Sequence, residues 1–187
     1  MIKEGVIITM RYQPSDPEVL SERTPAIKNI HLSGINIRKA DRAIAVYGLE
    51  EKEVSQITFS DMQISADKGI LVENATDISF HDLRLEVGQG VPFVAKDTRQ
   101  ISYDRITVNA FSPDTPYLKL NNCQTVRISN CYQPESIPLF LLQDEKCSTL
   151  YFISNILPNT KSLYNDLGTK VIQESNFIMN NSILIPN

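Results

Sequence analysis

Ile57-Thr58-Phe59-Ser60-Asp61-Met62-Gln63-Ile64 is the stretch on which the fold turns. Apolar residues hold its first and third places, two polar turn formers follow, and apolar residues return at the sixth and eighth places. Alternation of period two marks a strand with one buried face, and the polar pair breaks the phase of that alternation. The octet therefore reads as two short strands with a corner between them.

The same octet recurs along the chain. It is found at Ile30, Leu32, Ser33, Gly34, Ile35 and Ile37, at Ile78, Phe80, His81, Asp82, Leu83 and Leu85, and at Ile101, Tyr103, Asp104, Arg105, Ile106 and Val108. Weaker copies begin at Val126 and Tyr151, so first places are separated by 27, 21, 23, 25 and 25 residues. A third apolar run follows most copies, as at Ala43 to Val46, Gly69 to Val72, Pro92 to Ala95, Tyr117 to Leu120 and Leu139 to Leu142. Three strands per repeat of about two dozen residues, with no helical period, predict an all-β, right-handed parallel β-helix of about six to seven coils. An antiparallel sandwich or barrel is the rival. It would favour Asn-Gly or Asp-Gly hairpin turns, and none occurs.

The spacing predicts columns of inward residues. One runs through Ile30, Ile57, Ile78, Ile101 and Val126, and the other through Leu32, Phe59, Phe80, Tyr103 and Ile128. Residues 1–187 read as one domain: a first strand and projecting loop over 1–26, regular coils over 27–157, and an irregular cap over 158–187. If no coil precedes it, the strand at Val6 to Met10 offers unpaired backbone, so self-association through the N-terminal end, or a disordered first segment, is expected.

The chain has 187 residues, 42% hydrophobic and 21% charged, with a net charge of −4. Scattered Lys and Arg without an aromatic platform argue against nucleic acid as a partner. No apolar run reaches the roughly 18 residues of a membrane span, and the start, Met-Ile-Lys-Glu-Gly, does not read as a signal peptide. Cys123, Cys131 and Cys147 form neither an even disulfide framework nor a metal-ligand spacing, so no metal or other cofactor is expected. Cys131 stands where other copies carry Ile, Met or Leu and reads as a small buried apolar group. A disulfide between two of the three stays open.

Gly5 to Tyr12, Arg23-Thr24-Pro25-Ala26-Ile27-Lys28-Asn29-Ile30 and Gly48-Leu49-Glu50 resemble the C-terminal portion of bacterial polygalacturonases, glycoside hydrolase family 28. The resemblance covers residues 5 to 157. It implies a right-handed parallel β-helix, inverting hydrolysis of pectic chains, a pectic polysaccharide or oligosaccharide as partner, and a periplasmic or secreted location. The family's chemistry rests on Asn-x-Asp, Asp-Asp, Gly-His-Gly and Arg-Ile-Lys motifs, and none is present here. Ile37-Arg38-Lys39 has related residue types in another order and place.

No catalytic residue is therefore assigned. Tyr12 falls where the family carries a tyrosine near the cleaved sugar, so the resemblance makes it a substrate-binding candidate. Arg38, Lys39 and Arg42 form a small basic cluster able to meet a polyanion, or equally a solvated face. Asp61, Asp82 and Asp104 fall at corner places of successive units. There they line up as carboxylates or simply bond the local backbone and set the turn. Two functions follow: a pectin-acting hydrolase portion that is inactive alone, or a non-catalytic carbohydrate-binding or structural β-helix.

Overall fold

The computed structural model describes residues 3–11, 19–109, 112, 114–133, 137–157, 159–165 and 167–176. Ten strands follow in order: β1 (Glu4–Thr9), β2 (Lys28–Tyr47), β3 (Val54–Val87), β4 (Phe93–Asp104), β5 (Thr107–Asn109), β6 (Leu118–Ser129), β7 (Ile137–Gln143), β8 (Leu150–Ile153), β9 (Thr160–Tyr164) and β10 (Val171–Glu174). Every pairing between these strands is parallel. The result is a β-solenoid of about six turns, with no helix among the described residues.

Each arm of a coil pairs with the same arm one coil on, so the repeat becomes a set of columns. Ile30 pairs with Ile57, Ile78 with Ile101, and Ile101 with Val126. Leu32 pairs with Phe59, Phe80 with Tyr103, and Tyr103 with Ile128. From the second coil on, both columns are buried. Stacking puts the Phe59 and Phe80 rings 5.0 Å apart at 7° and Phe80 and Tyr103 5.4 Å apart at 8°. Phe93, Tyr117, Phe140 and Phe152 extend the aromatic contacts through the lower coils.

Left-handed backbone forms the corners, again in columns. Between the first and second arms it is carried by Gly34, Asp61, Asp82, Arg105, Asn130, Ser154 and Ser175, all with φ between 51° and 69°. Where the chain enters the first arm, Asn29, Gln56, Asp77, Gln100 and Thr125 do the same, and Asn74, Asp97 and Asn122 follow the third arm. Asn, Asp and Gly suit this conformation because they tolerate or lack the Cβ clash; Thr and Arg do not. The polar pairs of the sequence octet are thus residues chosen for a backbone angle.

The inner column just past the first corner changes character toward the C-terminus. It starts as Ile35 and Met62, continues through Leu83, Ile106 and Cys131, and ends in Asn155 and Asn176. Cys131 is buried as expected. The Asn155 Oδ1 accepts the Cys131 amide at 3.0 Å while its Nδ2 donates to Ile128 O at 3.0 Å, and Asn176 repeats the arrangement one coil below, on the Asn155 amide and Phe152 O. An amide carries the donor and the acceptor that two neighbouring rungs leave open, so it serves inside a corner where Leu serves only to fill space.

Coil stacking continues past Leu157: β9 pairs with β7 and β10 with β8. Of the cap expected over 158–187, residues 177–187, with the apolar Phe177, Met179 and Ile183 to Ile185, lie outside the described residues. At the other end, β1 covers only the third arm of the first coil, through Glu4↔Arg42 to Thr9↔Tyr47. Among the described residues no strand lies over Lys28–Ile37, and Ile30, Leu32, Ile35 and Ile37 are only partly buried.

Two substitutions test this register. Phe59→Ala removes a fully buried ring from the stack and is expected to cost about 3–5 kcal/mol; a melt unchanged from the parent would count against the column. Thr125→Asn relieves a β-branched residue at φ 56° and is expected to raise stability by about 1 kcal/mol, measured by urea unfolding.

Candidate functional site: the trough beside the first corner

A trough of about 660 Å³ runs along the outside of the solenoid beside the first corner. Its one wall is the corner column, Gly34, Asp61, Asp82 and Arg105; the other is the outward row two places later, Asn36, Gln63, Arg84 and Thr107. The floor is the backbone of Ile35, Met62 and Leu83, whose side chains turn inward. Both walls arise from the same local rule: a left-handed residue swings the chain, the next side chain enters the core, and the one after leaves it.

One part of the trough is locked. Arg105 Nε and Nη2 donate to the two oxygens of Asp82 at 2.6 and 2.8 Å, a bidentate pair across one rung. Arg105 also reaches Asp104 through Nη1. Asp104 further accepts from Ser129 Oγ at 2.8 Å and Asn130 Nδ2 at 2.7 Å. The hydrogen bonds from Arg105 hold the Asp82 carboxyl below the usual carboxylate range. The other part is free. Asp61, Asn36, Gln63, Arg84 and Thr107 make no side-chain hydrogen bond or ion pair among the described residues, and all face the same trough.

Of the two readings of Asp61, Asp82 and Asp104, a single column of three carboxylates is not what the structure holds, and Asp61 and Asp82 set the turn. Asp61 and Asp82 take the left-handed place, but in the next coil Arg105 takes it and Asp104 sits one place earlier, paired in register with His81 and Ser129. The octet places Asp104 and Arg105 at its two corner positions, and the second makes the turn. A cation therefore stands next to Asp82.

The other candidates fall elsewhere. Tyr12 lies outside the described residues. Arg38 and Lys39 are exposed beside a smaller groove of about 280 Å³ whose lining includes Asp67 and Glu86. A register shift falls at these two residues, between Ile37 and Ala40, and Arg42 pairs with Glu4 and Lys68 in the neighbouring rungs. Nearby acids thus offset much of the local positive charge. Sequence reading passed over Arg84, Arg105, Asn36, Gln63 and Thr107. Their signal was there, since each falls at a fixed offset from a corner, but a polar residue on an outward face is unremarkable until the coils are stacked.

No family model matches the chain, and no curated protein matches it. One solved structure is similar: the "putative glycosyl hydrolase" of Parabacteroides merdae ATCC 43184, at 13% identity, covering 75% of this chain and 83% of that chain, with a TM-score of 0.43. A likeness that weak says nothing of chemistry.

The Asp82–Arg105 lock has a pH signature. A depressed folded value means that the pair adds stability above the unfolded value near 3.9 and loses it as pH falls through the folded value. The contribution is small because the pair is solvent-exposed and screened. In Arg105→Ala the Asp82 titration, followed by carboxyl NMR, is expected to rise toward about 3.9.

Proposed function

We propose that this chain is a carbohydrate-engaging β-helix of the pectin-acting glycoside-hydrolase type, which binds a glycan along the corner trough and does not cleave it alone. The observation that carries this reading is the make-up of the trough: free amide, carboxylate, hydroxyl and guanidinium groups arrayed beside a central carboxylate already neutralised by Arg105.

Binding of sugars calls for side chains with paired donors and acceptors at fixed spacing. Asn36 and Gln63 supply both, Asp61 accepts, and Arg84 donates in a planar fork. Successive rungs rise by about 4.8 Å, close to the advance of one ring along an extended glycan, so a chain lying along the axis meets a similar set at each step. Further along the outward row, Tyr132 is 47% exposed and offers an apolar ring face. In the lining of the trough two carboxylates, Asp61 and Asp82, stand against the two cations Arg84 and Arg105, so the trough carries no positive excess. This balance favours hydroxyl-rich, uncharged stretches of a pectic polysaccharide over polygalacturonate.

Cleavage makes a different demand. An inverting mechanism needs one carboxyl group kept protonated over the leaving oxygen and another that activates water on the far face. Asp82 is shifted the opposite way, toward ionisation, and both its oxygens are occupied. Without an acid and an activated water, positioning alone leaves most of the barrier standing.

Calorimetry with neutral galactan, rhamnogalacturonan fragments and polygalacturonate, run beside a reducing-end assay, tests the proposal. Binding to the neutral or mixed chains is expected, weakened about tenfold or more by Asp61→Ala or Arg84→Ala, the loss of about 1.4 kcal/mol. No reducing ends should appear. Turnover abolished by Asp82→Asn would overturn the non-cleaving reading, and absence of binding to all three glycans would leave a structural role only.

A further inference from the structure

The column at the third corner holds two cysteines in neighbouring coils. It runs Ala75, Thr98 and Cys123, paired in register, and then Cys147. Ser148 N donates to Cys123 O at 3.0 Å, and the Cys123 amide donates to Cys147 Sγ at 3.4 Å, which sets the two residues side by side. Neighbouring parallel rungs are about 4.8 Å apart, inside the Cα separation of about 4.4–6.8 Å that a disulfide spans. Both side chains enter the same corner of the interior, and both are buried. Cys147 ends a turn, where its amide donates to Asp144 O at 3.2 Å, and the flanking Glu145 and Lys146 are exposed.

We propose that Cys123 and Cys147 form a modification site, at which a peroxide-class oxidant closes a disulfide that staples one coil of the solenoid to the next. Cys123 is the attacking sulfur. The neighbouring Cys147 thiol and the Thr98 hydroxyl, whose Oγ1 donates to Cys123 Sγ at 3.1 Å, draw the Cys123 thiol below the ordinary value, while Cys147, whose Sγ donates to Asp144 Oδ1 at 3.3 Å, is pushed up by its partner Cys123 and by burial. The Cys123 thiolate attacks one peroxide oxygen and the O–O bond breaks. Hydroxide leaves and takes up a proton as water, and Cys123 becomes a sulfenic acid. Cys147 sulfur then attacks the Cys123 sulfur, the S–O bond breaks, and the departing hydroxide takes the Cys147 proton. Two thiols and one hydrogen peroxide become one disulfide and two waters.

Cys131 is excluded by its surroundings. Its coil neighbours are Ile106 and Asn155, its sulfur faces the carbonyls of Ser129 and Tyr103, and burial pushes its thiol up to about 12. The oxidised protein therefore carries one defined crosslink and one thiol. Because Cys123 is fully buried, oxidant enters through opening of the turn at 144–149, so closure is slower than oxidation of a surface thiol.

The test treats the folded full chain with hydrogen peroxide, blocks remaining thiols after unfolding, and maps the peptides by mass. The expected product is two hydrogens lighter, joins the Cys123 and Cys147 peptides, and leaves Cys131 alkylated. Its unfolding midpoint is higher than that of the reduced chain and returns on adding dithiothreitol. Cys147→Ser, at the rim of the column, should fold and lose both the crosslink and the shift, and Cys131→Ala should keep both. Three free thiols after prolonged exposure, a crosslink through Cys131, or crosslinks only between molecules would each overturn the proposal.

Discussion

Parallel in-register pairing is the constraint from which the other features descend. Each arm hydrogen-bonds its counterpart one coil away, so whatever a residue does in one coil, its neighbour must be able to do about 4.8 Å further along. Apolar side chains meet apolar ones, as Phe59, Phe80 and Tyr103 do with nearly parallel rings. Residues that bend the chain meet residues that bend it too, and three columns of left-handed backbone result. One misplaced residue would disturb its own coil and both neighbours. This explains why the pattern holds tightly at inward and corner places and loosely elsewhere.

The same constraint arranges the polar groups. Outward side chains at equal offsets from a corner form rows, and the corner column and the row beyond it form a trough without any residue being specially placed. Chemistry differs from rung to rung only through what occupies those rows. Asp82 beside Arg105 gives a neutral, rigid segment, and Asp61 with Gln63 and Arg84 gives an open one. The interior obeys it as well: Asn155 and Asn176 bridge rungs by their amides, and Cys123 and Cys147 meet because both belong to one column.

Among the described residues, stacking runs short on the N-terminal side. At the N-terminal side β1 covers one arm and leaves Ile30, Leu32, Ile35 and Ile37 half-buried, although the same columns deeper in are closed. Burial in this fold is thus a property of position along the axis as much as of residue type, since an inward Ile needs a coil on each side.

Fold class, the octet repeat, the inward columns and the buried place of Cys131 were all legible in the residues. A period-two alternation broken by a polar pair has one economical reading, and its recurrence at nearly constant spacing names the stacking partner of each residue. Asparagine and aspartate at the corners were legible as turn formers for the same local reason. Other features were not. Whether Asp104 or Arg105 takes the left-handed angle is decided by register, and that choice sets an ion pair where a line of carboxylates was one of two open readings. The register shift after Ile37 falls at Arg38 and Lys39, and no spacing in the sequence announces it. The facing of Arg84 and Asp61 across the trough, and of Cys123 and Cys147 inside the corner, joins residues 23 and 24 positions apart in sequence. Such meetings exist only once one coil lies on another, because the distances that matter there run across the rungs and the sequence records only the order along them.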